Sequence, residues 1–99
     1  KDDSVRLDGL SIQMYFAWGV VCGVYADYNN QSNCVVTSAN DGTHMSDSRH
    51  YSGDALDFRV WGFEERLLDL IASDIQDVLG EDYTVINELD HFHVEYERK

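Results

Sequence analysis

Along this chain apolar residues return at two different spacings, and the change from one to the other marks out the elements. Leu10, Met14, Ala17, Val21, Val24 and Tyr28 follow one another at intervals of three and four. That period belongs to an amphipathic helix and predicts one over 9–28, with Asp8 as its N-cap. The polar run from Tyr28 to Asn33 ends it, and Cys34 to Thr37 reads as a short buried strand. From Ser38 to Gly53 neither period holds and Ser, Asp, Asn, Gly and His dominate, so a long loop is expected. Alternation resumes at Ala55: Leu56, Phe58 and Val60 point one way, Ala55, Asp57 and Arg59 the other. Helical spacing returns over 64–79, where Leu67, Leu68, Ile71, Ile75, Val78 and Leu79 form the stripe. Glu64 and Glu65 suit the first turn of that helix and Gly80 its end. Two more strands, 83–87 and 92–96, flank a turn at Glu88-Leu89-Asp90. In the last strand Phe92 and Val94 share one face, while His91, His93 and Glu95 share the other.

Helix, strand, strand, helix, strand, strand is the order of an α+β domain, a small antiparallel sheet with two main helices packed on one of its faces. At 99 residues the chain has room for one domain only. An apolar content of 43% supports a folded core. The formal charge of −12 sets aside nucleic acid, whose binding needs clustered Lys and Arg to neutralise phosphates. Anionic membrane surfaces are disfavoured for the same reason. The longest apolar stretch, Met14 to Tyr25, falls short of the roughly 20 residues that span a bilayer. It also lacks the flanks of a signal peptide. The chain begins at Lys1, which leaves room for a leader or a further domain ahead of it, and no compartment is legible. Cys22 and Cys34 are the only cysteines. They are not in a Cys-x-x-Cys pair and are expected as buried free thiols that behave as small hydrophobes.

The chemistry-bearing residues gather in two places. His44 and His50 fall in the long loop, with Asp57 seven residues beyond His50; His91 and His93 open the last strand, just after Asp90. Two imidazoles and a carboxylate form a donor set suited to zinc, and three protein ligands leave a fourth position open, as in catalytic sites. Gly53 permits a tight turn between His50 and Asp57, so that both can face one ion. His93 would join them from a neighbouring strand.

Ser48, His50, Gly53, Ala55 and Asp57 reproduce the Ser-x-His-x-x-Gly-x-Ala-x-Asp pattern of the zinc D-alanyl-D-alanine carboxypeptidase and endopeptidase family. Asp90-His-Phe-His93 resembles that family's second motif, and the two occur in its order with a helix between them. Asp41-Gly-Thr-His44 through Asp57 is also similar to the zinc-site loop of the hedgehog signalling domain, which shares the fold. The resemblance implies a zinc cleft on the sheet face away from the helices, with His50, Asp57 and His93 as ligands and Asp90 as general base. His44 or Arg49 would take the place of an arginine that the family carries upstream of the first motif and this chain lacks. Ser48 would orient the loop around His50, and His91 would contact substrate or support the ligands. The implied activity is hydrolysis of peptide bonds in peptidoglycan stem peptides or cross-links, with Zn2+ as cofactor, as in a phage lysin, a virion-associated hydrolase or a bacterial wall-remodelling enzyme. The competing expectation is a catalytically weak or inactive, hedgehog-like binding domain that keeps the metal for recognition.

Overall fold

The computed structural model describes residues 10–40 and 55–97. The first helix, α1, spans Ile12–Asp27, and a short 3-10 turn at Gln31–Asn33 leads into strand β1, Val36–Asn40. Strand β2 covers Ala55–Arg59, a second 3-10 turn at Glu65–Leu67 enters helix α2, Leu68–Leu79, and strands β3, Tyr83–Asn87, and β4, His91–Tyr96, close the chain. The architecture is α+β as expected, with one four-stranded antiparallel sheet in the order β1-β2-β4-β3. Among the described residues no helix is long and apolar enough to cross a membrane.

The boundaries differ from the sequence reading where local contacts win. Helix α1 starts at Ile12 because the Ser11 hydroxyl accepts from the Met14 N–H at 3.1 Å, a side-chain N-cap. Asp8, the expected cap, lies outside the described residues. The helix ends in a Schellman arrangement: Asn29 N–H donates to the Ala26 carbonyl and Asn30 N–H to the Tyr25 carbonyl, both at 2.9 Å. Asn29 occupies the left-handed region at φ 58°, which Asn tolerates better than most residues. The inner stripe of α1 is as predicted, with Met14, Ala17, Val21 and Val24 buried. Its outer face is not polar: Ile12, Tyr15 and Phe16 are exposed, and no charged residue precedes Asp27. Strand β1 runs two to three residues later than expected, so Ser38, Ala39 and Asn40 belong to the sheet. Their side chains give no periodic signal, yet they pair with Asp57, Leu56 and Ala55 of β2, and the ladder decides.

The cysteines correct the sequence reading outright. Cys22 on α1 and Cys34 after the 3-10 turn form a disulfide, their Cα atoms 5.4 Å apart. The helical and strand-like patterns around them were compatible with two isolated thiols. The Schellman cap and the 3-10 turn instead fold the chain back sharply, bringing the second cysteine against the helix face that carries the first.

One core lies between the helices and the sheet. Tyr25, Met14 and Val21 of α1 and Ile71 and Ile75 of α2 meet Leu56, Phe58, Phe92 and Val94 of the central strands, all fully buried. Burying each such side chain contributes about 1.5–3 kcal/mol. Tyr25 and Phe63 add an edge-to-face contact at 4.8 Å. The Tyr25 hydroxyl donates to the Arg59 carbonyl, and burial raises its pKa far above the usual phenol range. The alternation of β2 and β4 is therefore fixed: whatever does not face this core stands on the opposite side of the sheet.

Candidate functional site

That opposite side carries the polar residues that the sequence singled out. In the antiparallel pairing of β2 with β4, Asp57 lies directly across from His93 and Arg59 across from His91, with Ala55 across from Glu95. Leu56 and Phe58 on one strand, and Phe92 and Val94 on the other, anchor the intervening positions in the core. The pleat then points Asp57, His91, His93 and Glu95 away from the helices.

The side chains form a connected row. His93 Nδ1 lies 2.8 Å from Asp57 Oδ1, and His93 Nε2 lies 2.9 Å from Glu95 Oε1. His91 Nε2 is 3.7 Å from the other Asp57 oxygen, while its Nδ1 is 2.6 Å from Asp90 Oδ1. The row thus reads Asp90, His91, Asp57, His93, Glu95, with carboxylates and imidazoles alternating. For His93, partial burial works against the charged imidazolium. The hydrogen bonds to Glu95 and Asp57 and the charges of both outweigh it, and the pKa is raised from its usual value of 6.5.

Asp57 and His93 are therefore together at the two positions expected to bind zinc. Their nitrogen and oxygen donors are the chemistry that the ion takes, and the lone pairs now sharing a proton are those a cation would claim. Among the described residues no group of three His, Cys, Asp or Glu side chains is arranged to hold a metal ion. The third expected ligand, His50, lies outside them, as do His44, Ser48 and Arg49. Asp90 is brought to the row but at its rim: its side chain is 86% exposed, and His91 stands between it and Asp57.

Glu95 has no role in the sequence reading, yet it holds the far nitrogen of His93. The strand alternation that placed it on the His93 face was the available signal. Trp61 is 63% exposed and lies against Arg59. A shallow groove at the start of α2, lined by Glu65, Arg66, Asp69, Asn87 and Leu89, includes none of the expected site residues. Comparison with protein-family models, curated proteins and solved structures gave no match.

Proposed function

We propose that the chain is a zinc metallopeptidase of the D-alanyl-D-alanine carboxypeptidase type, acting on the peptides of peptidoglycan. The observation that carries this reading is the cross-strand pair Asp57 and His93, 2.8 Å apart on the helix-free face of the sheet. These two residues close the two sequence motifs, and strand register alone brings them together. In this reading Asp57, His93 and His50 hold the zinc.

Zinc, when bound, supplies a Lewis acid and lowers the pKa of a water to about 7. The chain's own residues do the rest. Glu95 fixes the ring of His93 from its far side, the kind of support that orients a ligand imidazole. Asp90 accepts the proton of the attacking water and returns it to the leaving amine. His91, hydrogen-bonded to Asp90 and 3.7 Å from Asp57, keeps that carboxylate at the edge of the row.

The test is incubation of the zinc-loaded protein with purified peptidoglycan and mass analysis of the released peptides. New amine ends are expected, and Asp90→Asn should lose at least about a hundredfold in turnover while keeping zinc and fold. Asp57→Asn should lose metal as well. Unchanged wall material together with zinc-dependent binding of wall peptides would replace this reading by that of a zinc-containing binding domain.

A further inference from the structure

Two glycines in the middle of helix α1 have no explanation within a single copy of the chain. Gly19 and Gly23 lie inside this 16-residue helix, both exposed and neither at a positive φ. A Cβ added at either would meet nothing within 4 Å among the described residues. Glycine inside a helix lowers stability relative to alanine, because its backbone loses more freedom on folding. Alanine would fit at both positions, and no turn, close approach or left-handed backbone requires its absence.

The same face carries the opposite anomaly. Ile12 is 81% exposed and Phe16 57%, while the buried stripe of Met14, Ala17, Val21 and Val24 points at the core. Positions 12, 16, 19 and 23 are separated by four, three and four residues, the spacing that keeps a seam on one side of a helix. Along this seam the bulk lies in the N-terminal half and the gaps lie in the C-terminal half. Two such helices laid antiparallel, about a twofold axis between residues 17 and 18, bring Phe16 of each copy over Gly19 of the other and Ile12 over Gly23. Each exposed side chain then finds a glycine. An isologous interface needs this self-complementarity, because one patch serves both sides.

Charge favours the same occupant. At a formal −12 the chain repels its own copies over most of its surface, but α1 has no charged residue before Asp27. Sixteen residues at about 1.5 Å each give a contact about 24 Å long. One helix face of that length buries less than the roughly 1,200 Å² of a stable interface, so the pairing is weak and depends on salt to screen the remaining surface.

We infer that α1 is a self-association surface, on which two copies pair antiparallel through Ile12, Phe16, Gly19 and Gly23. The inference is independent of the peptidase reading. The helix lies on the sheet face opposite the row of carboxylates and imidazoles, so pairing leaves that row open.

Sedimentation equilibrium of the full chain, from about 10 μM to about 1 mM in 0.1 M and 1 M NaCl, tests this. A monomer–dimer equilibrium is expected, at least about fivefold tighter at the higher salt, where the Debye length falls from about 10 Å to about 3 Å. Phe16→Ala should weaken it at least about tenfold. Gly19→Ala and Gly23→Ala should each do the same, yet each should raise the urea midpoint of the dilute, monomeric protein. Those opposite signs separate an interface role from a packing role within one copy, which would lower the midpoint. Ile86→Ser removes an exposed apolar side chain from β3, at a position across from His93, and should leave the dimer unchanged. A wild type that stays monomeric throughout would overturn the inference, as would a dimer that both glycine variants leave intact, or one that tightens as salt is lowered. Loss of the dimer in Ile86→Ser but not in Phe16→Ala would move the interface elsewhere and overturn it as well. Vesicles of neutral phosphatidylcholine present the competing occupant: a monomer that co-sediments with them and forms no dimer in solution would assign the face to lipid instead.

Discussion

The turn that carries Trp61 offers the sharpest test of how the helical layer positions the site. Gly62 sits at φ 87°, and a Cβ added there would meet Asn30 Oδ1 at 2.4 Å and Asn33 Nδ2 at 2.7 Å. Asn30 is itself buried, donating from Nδ2 to the Trp61 carbonyl and accepting from Asn33 Nδ2, both at 2.8 Å. Gly62→Ala therefore carries two costs. A left-handed backbone imposes about 1–2 kcal/mol on a residue with a Cβ. Displacing Asn30 strains or breaks two hydrogen bonds, each worth about 1 kcal/mol net. The smaller entropy of the unfolded alanine chain returns about 0.4–1 kcal/mol. The sum is a destabilisation of about 2–3 kcal/mol, or a fall in Tm on the order of 10–20 °C for a domain of this size. Urea unfolding followed by far-ultraviolet circular dichroism, with the disulfide intact, measures it. A mutant cycle isolates the contact: in an Asn30→Ala, Asn33→Ala background both clashing side chains are gone, so Gly62→Ala should cost only the backbone part. Costs that add within about 0.5 kcal/mol in the cycle would refute the role given to Asn30.

Three further outcomes are expected. Replacing both cysteines by serine opens a link between residues 12 apart in sequence and should cost about 3 kcal/mol by the loop-entropy relation, read as a lower urea midpoint. In the metal-free protein the raised pKa of His93 means that its pairing with Asp57 and Glu95 stabilises the fold fully below pH 6.5. That contribution is lost as pH rises through the higher folded value. A wild-type stability that does not decline relative to His93→Gln between pH 6 and 9 would contradict this. Chelation of bound zinc should lower the melting temperature, since a ligand of the native state alone stabilises it by mass action, and an unchanged melting curve after verified removal would count against zinc in the fold.

The fold was legible where burial sets a period. Leu56 and Phe58 on β2, and Phe92 and Val94 on β4, announce a core face, and their neighbours Asp57, His93 and Glu95 are assigned to the other face by elimination. This is why the cross-strand pair could be anticipated from one sequence. Three things could not. The extension of β1 through Ser38 to Asn40 depends on a partner strand and not on its own side chains. The disulfide depends on a reversal made by a Schellman cap and a 3-10 turn, neither of which leaves a periodic trace. The stacking of Arg59 on Trp61 depends on Gly62 and Asn30, residues distant in sequence whose contact is decided by the packing of α1 against the sheet.

The interleaving of β2 and β4 also limits how this protein can change over evolutionary time. Each strand alternates one residue committed to the core with one committed to the row of carboxylates and imidazoles, in direct register across the pair. A single inserted or deleted residue in either strand would exchange the two sets, burying Asp57 or His93 and exposing Phe58 or Phe92. Substitutions can tune the row one position at a time, but length changes in these two strands are closed to the lineage. Length variation is thereby confined to connections outside the ladder, such as the turn at Trp61-Gly62.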